Sequence, residues 1–363
     1  MDRTTVEVYE RRAAEWAGKR SALHRERAIR LAGRALPDMP VADLGCGPGH
    51  YLTDLGPAVV AVDAAAAMLT VARQWPGSPA PFVQADLEAL PFRDRSLGAA
   101  WASNSYLHVP KGRLPLALAR LHWAMAVGAP LTLSVVVGDG EGDWPGDDFP
   151  GRLFSYWQPD SLAALLAGAG FEVDDVAVAG ERVWAEGRRA RTLPDTVRAD
   201  LRVLVCGLNP SVVAADAGYG FGGPTNRFWR AAVASGLVTR PRDPLACAHD
   251  DAVGMTDLVK RATPAAATLT IAEYRAGADR VRRLVEWLQP GVVLFVGLTG
   301  WRTAVDKSAR AGVQPGTFGG STAYVMPSTS GLNAHAGLAE LTAHMTDALA
   351  AAGAAPEDPA PPA

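Results

Sequence analysis

Apolar segments of strand length alternate with amphipathic segments through the first half of this chain. The strand-like segments start with "VADLG" and continue with "VVAVDA", "PFVQADL", "LGAAWASNS" and "APLTLSVVV". Near residue 160, "PDSLAALLAGAG" has helical spacing, and we expect Asp160 to cap this helix and Gly170 to end it. Another strand should follow. This order of elements predicts a parallel α/β domain.

The second half begins in the same way, with "DLRVLVCGLNP" from Asp200 to Pro210. Two more strand–turn units, "PGVVLFVGLTG" and "TAYVMPSTSG", surround the helical pattern of "IAEYRAGADRVRRLVEWLQ". Two such starts in 363 residues predict two sheets and two domains. We assign residues 1–185 and 196–350 to the domains, 186–195 to a linker and 351–363 to a disordered tail.

Composition and charge indicate where the protein works in the cell more clearly than which reaction it catalyses. Hydrophobic residues make up 48% and charged residues 20% of the chain, as in ordinary globular proteins. No apolar run reaches transmembrane length, and the start shows no signal-peptide core, so we expect a cytoplasmic protein without a membrane partner. Three scattered cysteines predict neither disulfides nor a four-thiolate cluster, and we expect no metal site. The net charge of −3 leaves nucleic-acid binding to a local patch.

A glycine turn with acidic partners marks a candidate site in the first half. The turn "GCGPG" follows a strand, where glycines let a ligand approach the backbone and the next helix offers its positive end. Asp63 ends the next strand, twenty residues after Asp43, where a carboxylate can bind a ribose diol. Asp86 ends the third strand and is placed to bind an adenine amine. An ordinary turn with surface acids is the alternative.

These segments, with the late "PDSLAALLAGAGFEV", resemble class I S-adenosylmethionine-dependent methyltransferases from about Val6 to Trp184. The resemblance implies a Rossmann-like sheet and S-adenosyl-L-methionine as cofactor. By motif position it implies these cofactor-binding residues: Asp43, Gly45, Gly47, Asp63, Asp86 and Leu87. Gly98 departs from the family, which often has an acid there.

The methyl acceptor cannot be predicted from the sequence. The spacing G-x-G-x-G disfavours nicotinamide binding, and the two known motifs of DNA-base methylation are absent after the fourth strand, where Ser103-Asn104-Ser105-Tyr106 stands. His108 is a candidate general base, although a structural histidine is the alternative.

The second candidate site follows the strand that begins the second half. Asn209 has a neutral amide that both donates and accepts hydrogen bonds, and Pro210 fixes the turn after it. Such an amide can orient a water molecule for a reaction in which the leaving group departs first and a sugar cation is trapped. An asparagine that serves only the turn is the alternative.

Two further stretches favour the functional interpretation. In "GYGFGGPTNRFW", Phe221 offers a flat face for a base. In "MPSTSGLNAHA", Leu332 stands between Gly331 and Asn333 on a loop, which suits a wedge that fills the gap left by a flipped base.

In this order, and with "GMTDLVKRAT", these motifs resemble the mismatch-specific uracil/thymine DNA glycosylases of the uracil-DNA glycosylase superfamily, from about Thr192 to Ala350. The resemblance implies a three-layer α/β/α fold and hydrolysis of the bond between deoxyribose and a uracil or thymine mispaired with guanine in double-stranded DNA, the first step of base-excision repair. It implies that Asn209 positions the water and Phe221 stacks on the base. The loop of Ser330, Gly331, Leu332 and Asn333 would enter the duplex.

Several residues near the expected base differ from the family or should affect which base is accepted. Ser211 replaces a common glycine, so we expect closer backbone contacts with the base. Asp257 stands where relatives often have lysine or asparagine, and its carboxylate can accept the imide N–H of uracil. Ala334 replaces an arginine found in some members. The small side chain of Ala214 leaves room at the 5-position, so we expect some thymine to be tolerated.

Four cations lie in or near the loops expected to face DNA: Arg227, Lys260, Arg261 and Arg302. They are candidate phosphate contacts, and ordinary surface residues are the alternative.

For the whole chain we predict a bifunctional enzyme. Two alternatives remain: a methyltransferase whose second half only binds nucleic acid, and a first half that binds its cofactor without methylating anything.

Overall fold

The computed structural model describes residues 1–19, 23–74 and 80–353. The chain divides into two compact units between Ala190 and Arg191. Part of the predicted tail, residues 354–363, lies outside the described residues, whereas its first two residues end the last helix. In the part of the chain described, no helix is long and apolar enough to cross a membrane.

The first unit contains nine strands and five α-helices among its described residues. Its strands are β1 (Val41–Leu44), β2 (Val59–Asp63), β3 (Phe82–Gln84), β4 (Ala99–Ser103), β5 (Pro130–Val137), β6 (Glu141–Gly142), β7 (Phe154–Trp157), β8 (Phe171–Ala179) and β9 (Arg182–Arg189). Its α-helices are α1 (Arg3–Lys19), α2 (Arg25–Ala32), α3 (Ala66–Ala72), α4 (Leu114–Ala124) and α5 (Pro159–Gly168).

The sheet of the first unit is Rossmann-like. Strands β3, β2, β1, β4 and β5 lie side by side and parallel, and β9 joins β5 antiparallel with β8 beyond it. The chain order reverses at β1, which lies between β2 and β4. Ligands of such sheets bind at the carboxyl ends of the strands where this reversal occurs.

Alternating residues of the strands bury both faces of this sheet, as expected when helices cover both sides. Ala42 and Leu44 of β1 pack with α4 and α5, whereas Val41 of the same strand packs with α2. The helix after residue 158 departs from the predicted boundaries. Gln158 is its N-cap residue and Asp160 lies in its first turn, because Pro159 occupies the first helical position, which proline favours.

The predicted linker is not an exposed connector. Residues 186–189 complete β9, which is paired on both sides. Farther along, Asp195 is buried, and Thr196 exchanges two backbone hydrogen bonds with Met255. The polar, proline-ending composition suggested a linker, but these residues complete a strand of the first unit and begin the second unit.

The second unit contains five strands and six α-helices among its described residues. The strands are β10 (Val203–Gly207), β11 (Val253–Asp257), β12 (Val292–Val296), β13 (Gly312–Phe318) and β14 (Ser321–Met326). The α-helices are α6 (Val212–Ala217), α7 (Phe228–Ala234), α8 (Pro244–Asp250), α9 (Ile271–Leu288), α10 (Leu298–Ala304) and α11 (Leu338–Ala352).

The second unit has three layers, helices on both sides of a sheet of order β11-β10-β12-β14-β13. Val203 and Val205 of β10 pack against α7 and α11, and Leu204 and Cys206 pack against α9. Only β13 runs antiparallel, so the carboxyl ends of β10, β11, β12 and β14 meet at one edge. All the motifs predicted for the second site follow these strands.

Candidate functional sites

The glycine turn of the first unit lies at the carboxyl end of β1, where the strand order reverses. The backbone N–H groups of Gly45 and Cys46 both donate to Val62 O, at 2.8 and 2.9 Å. Gly45 has a φ of +74°, and a Cβ there would overlap the side chain of Ser105. Glycine is therefore required at this position, and the turn brings the backbone to the wall of a cavity.

That cavity has a volume of about 400 Å³ and contains most of the predicted cofactor residues. Five of the six line it, namely Asp43, Gly45, Gly47, Asp63 and Leu87. The sequence analysis missed the aromatic and cationic residues on its other walls, which come from separate parts of the chain: Tyr9, Trp16, Trp101, Trp144, Arg152, Phe154 and Arg182.

Two carboxyl groups in this cavity differ in their surroundings. Asp63 accepts hydrogen bonds from the N–H groups of Gly47 and Ala65, both at 2.9 Å, and burial raises its pKa to about 6. Burial and the nearby Asp63 raise the pKa of Asp43 to about 8. Its Oδ2 is buried and has no hydrogen-bond partner within the described part of the chain. A water molecule or a polar ligand group can satisfy this oxygen.

Asp86 does not line the cavity. Both of its carboxylate oxygens accept hydrogen bonds from the Met1 ammonium at 2.7 Å, and Met1 itself lines the cavity. The missing acid at residue 98 has a steric cause, since a Cβ on Gly98 would lie 2.6 Å from Met39 Cβ.

His108 lines the cavity, but its ring is fully engaged. Its Nδ1 lies 2.7 Å from Leu153 O, a pure acceptor, so Nδ1 carries the proton and Nε2 accepts from the Tyr9 hydroxyl at 2.8 Å. Burial lowers the His108 pKa to about 3. The structural interpretation therefore fits better than the general-base hypothesis.

In the second unit, the loops after β10 and β11 are joined by backbone hydrogen bonds. Leu258 N donates to Gly207 O and Val259 N to Leu208 O, both at 2.9 Å. Thr263 N donates to Pro210 O at 3.1 Å. These bonds hold the segment around Asn209 against the second loop along its length.

Asn209 is oriented by three acceptors. Its Nδ2 donates to Thr263 Oγ1 at 2.8 Å and to the carbonyl oxygens of Pro210 and Arg261, each at 3.1 Å. The Thr263 hydroxyl donates to Ala265 O, so its lone pairs face the amide. Nδ2 must therefore point into this loop. Among the described residues no donor reaches Oδ1, and Asn209 lines a cavity.

Phe221 is held in an unusual backbone conformation. Its φ is +57°, which is rare for a bulky residue. The ring stacks on buried Phe228, with centroids 3.9 Å apart and planes 14° apart, and lines the same cavity as Asn209. Strain of this kind persists where surrounding structure imposes it, often at binding sites.

This second cavity has a volume of about 240 Å³ and brings together the predicted base-binding residues. They are Asn209, Ser211, Ala214, Phe221, Asp257 and Ser330, with Gly331 of the wedge loop. Ser211 also caps α6, since its Oγ accepts from Ala214 N at 3.1 Å. A Cβ on Gly207 would lie 2.5 Å from Asp257 Oδ1, so glycine makes room for that carboxyl group.

The predicted wedge loop lies at the rim of this cavity. The Leu332 side chain is 97% exposed, whereas a Cβ on Gly331 would overlap Thr225. Asn333 is engaged within the loop, since its Nδ2 donates to Ser328 O at 2.8 Å and its Oδ1 accepts from His335 N at 3.2 Å. The loop thus presents one apolar side chain on a fixed backbone.

All four predicted phosphate contacts have protein partners. Lys260 Nζ donates to buried Asp195 at 2.7 Å, and Arg261 pairs with Glu273. Arg302 donates to Ala309 O. Arg227 donates to the carbonyl oxygens of Ser330, Asn333 and Ala336, so it holds the wedge loop, a role that the sequence analysis missed.

Comparison with known families gives one match in each unit. Residues 41–128 match the methyltransferase domain family, and residues 194–352 match the uracil DNA glycosylase superfamily. The chain therefore carries a methyltransferase domain in its first unit and a uracil DNA glycosylase superfamily domain in its second.

Among solved structures, the similar chains include S-adenosylmethionine-dependent methyltransferases. One from Methanosarcina mazei is 16% identical over 44% of this chain and 97% of its own, with a TM-score of 0.40. One from Mesorhizobium loti is 19% identical over 45% and 96%, with a TM-score of 0.37. A Burkholderia thailandensis 1,6-didemethyltoxoflavin-N1-methyltransferase is 22% identical over 51% and 85%, with a TM-score of 0.39.

Proposed function

We propose that the second unit is a DNA glycosylase that hydrolyses the N-glycosidic bond of uracil, and more slowly of thymine, mispaired with guanine. The observation that carries this proposal is the orientation of Asn209. Its amide nitrogen is fixed by three acceptors, which leaves Oδ1 to accept a hydrogen bond from a water molecule in a cavity lined by an aromatic ring.

The reaction needs little base strength in this arrangement. The C1′–N1 bond of the nucleotide breaks, its electron pair leaves with the base, and the deoxyribose becomes an electron-poor cation. Asn209 Oδ1 holds a water molecule whose oxygen then bonds to C1′, and its proton passes to solvent. A positioned neutral amide lowers the entropic cost of this capture without acting as a strong base.

The lining of the cavity supports a preference for a pyrimidine. Phe221 offers a rigid ring to stack on, and the ionised Asp257 carboxylate can accept the imide N–H of uracil. Buried Ala214 lines the same cavity without filling it. One extra methyl group changes binding by about 1–3 kcal/mol in such pockets, so thymine is disfavoured but not excluded.

Double-stranded DNA with a G·U or G·T mismatch is the proposed partner. Flipping a base costs a few kcal/mol and costs least at a mismatch. Exposed Leu332 on its braced loop is suited to occupy the vacated space in the stack. We place this repair activity in the cytoplasm, where the three free and buried cysteines would remain reduced.

The test of this activity is abasic-site formation on U·G, T·G and U·A duplexes by the full chain. We expect the fastest cleavage on U·G, slower cleavage on T·G, and weak cleavage on U·A, because a matched base resists flipping. Binding to a U·G duplex without any cleavage would instead support a nucleic-acid-binding module.

We propose that the first unit is a methyltransferase that uses S-adenosyl-L-methionine. The residues present fit this cofactor: Gly45 and Gly47 keep the turn open, Asp63 can accept from a ribose diol, and the Asp43 carboxyl has an unsatisfied oxygen. When bound, the cofactor supplies an electrophilic methyl group. A role for Asp86 at the adenine stays a prediction.

The chain's own residues constrain the acceptor chemistry. His108 is neutral and its Nε2 already accepts from Tyr9, so it does not take a proton from the acceptor in this arrangement. The acceptor must therefore arrive as a nucleophile or lose its proton to another group. A rise in melting temperature with S-adenosyl-L-methionine in native protein, absent in Asp63→Ala, would support the cofactor site.

A further inference from the structure

Asp195, which the sequence analysis assigned to a linker, lies beside β11, the strand whose last residue, Asp257, lines the second cavity, called the base cavity below. Only 3% of its surface is exposed. The next residue, Thr196, donates to and accepts from the backbone of Met255, at 2.9 and 3.1 Å. This isolated bridge attaches the segment to β11, so Asp195 has a fixed place beside the strand that ends in Asp257.

Asp195 binds two partly buried cations and a hydroxyl group. Its Oδ1 accepts from Lys260 Nζ and from Thr256 Oγ1, and its Oδ2 accepts from Arg280 Nη1, each at 2.7 Å. Arg280 also donates to Thr256 Oγ1 at 2.9 Å and to Asp257 O at 2.6 Å. A partly buried charge cluster of this kind is weak evidence for added stability, so another role is worth testing.

The cluster leaves the Asp257 carboxyl group without a hydrogen-bond donor among the described residues. Lys260 is only three residues away but is turned to Asp195, and Arg280 reaches only the Asp257 carbonyl oxygen. The carboxyl group instead lines the base cavity beside Gly207. A partly buried carboxyl group that lines a cavity and has no protein donor is available to bind a ligand.

We propose that Asp195 is a positioning residue for base recognition: by holding Lys260 and Arg280, it keeps the Asp257 carboxyl group available to the base. This inference rests on the proposed glycosylase activity. Asp195 acts through Asp257 and does not itself line the cavity.

The charges around Asp257 fix the direction of the expected effects. Four groups act there from different elements: Asp195 before β10, the neutral Cys206 thiol on β10, Lys260 after β11, and Arg280 on α9. The Asp257 pKa is raised to about 6 as the net result of burial and Asp195, which raise it, and of Lys260 and Arg280, which lower it. Removing Asp195 also frees Lys260 to pair with Asp257.

The experiment measures single-turnover cleavage of a U·G duplex by the full chain between pH 5 and 8. We expect the cleavage rate to fall as pH falls through the Asp257 pKa, which gives an inflection in the pH–rate profile. Asp257→Asn should abolish this inflection. Asp195→Asn should move the inflection to lower pH, and Lys260→Met should move it to higher pH. Asp279→Asn, which removes an exposed carboxylate on α9, should leave it in place.

The outcomes separate this inference from the proposed function. No cleavage by the native chain contradicts the glycosylase activity itself. Cleavage with an inflection that Asp257→Asn removes, but that a folded Asp195→Asn leaves unchanged, overturns the positioning role. If Asp195→Asn does not fold, Lys260→Met decides: an inflection that moves up supports the inference, and one that stays or moves down overturns it.

Discussion

At the scale of single residues, Asp257 shows a conflict between stability and binding. Burial raises its pKa to about 6, so folding favours the neutral form. The contribution of the neutral Asp257 side chain to the free energy of unfolding is fully present below the unfolded-state pKa of 3.8. It is lost as pH rises through the folded-state pKa of about 6. The native chain therefore keeps a destabilising charge in its cavity at neutral pH, as expected for a group that serves a ligand.

We predict that Asp257→Asn is more stable than the native chain at pH 8 and about equally stable at pH 4. The rise of the Asp257 pKa from 3.8 to about 6 corresponds to a gain of at most about 3 kcal/mol. Denaturant unfolding at both pH values measures it. Equal stabilities at pH 8 would mean that the carboxyl group is not held in a desolvated site.

The Leu332 side chain is almost fully exposed, so it does not stabilise the fold by packing. Leu332→Ala should lower the rate of U·G cleavage and have a smaller effect on uracil in single-stranded DNA, where no stack has to be filled. Val313→Ala is the matched control, since Val313 is a 58% exposed apolar residue on β13. Equal losses on both substrates would contradict the wedge role.

Local motifs made some of these residues predictable. Asn209, Phe221 and Leu332 could be found from the sequence because each follows a strand end or stands among turn residues that do not suit a core. The roles of Asp195, Lys260 and Thr263 could not be predicted, because they depend on contacts between segments about 50 to 65 residues apart. Asp86 followed its motif, yet it does not line the cavity.

At the scale of elements, the wedge loop is held by the start of α7. Arg227 donates to three carbonyl oxygens of the loop, and its own N–H donates to Thr329 O at 2.9 Å. A lysine cannot reproduce a planar guanidinium that reaches several acceptors at once.

We predict that Arg227→Lys slows U·G cleavage with little change in the fold, because the loop loses its brace while the charge is kept. Arg230→Lys, an exposed arginine on the same helix, is the control. Hydrogen exchange should show faster exchange of residues 328–336 in Arg227→Lys alone. Unchanged exchange there would rule out the bracing role.

Element positions were well predicted where apolar periodicity was strong. The strands β1, β2, β4, β5, β10 and β12 and helix α9 match their sequence patterns, and Thr270 and Glu273 form a capping box at the start of α9. The linker differed because three of the four residues 186–189 are charged although they belong to β9, which is paired on both sides, and this charged composition hides the strand.

At the scale of the whole molecule, the two units have separate sheets and separate cores. We therefore predict that Asp63→Ala loses cofactor-induced stabilisation while U·G cleavage keeps its native rate. Asp94→Ala, an exposed acid of the same unit, should keep both properties. The prediction is that cofactor binding does not affect cleavage. It would be contradicted if S-adenosyl-L-methionine changed the cleavage rate of the native chain but not that of Asp63→Ala.

The central claim is that Asn209 orients the water molecule that completes base release. Its most direct test is single-turnover cleavage of a U·G duplex by the native chain and by Asn209→Ala, with duplex binding measured in parallel. The account predicts that the native chain forms abasic sites and that Asn209→Ala binds the duplex equally well but cleaves on the order of 100-fold or more slowly. Equal cleavage by both proteins would contradict the claim.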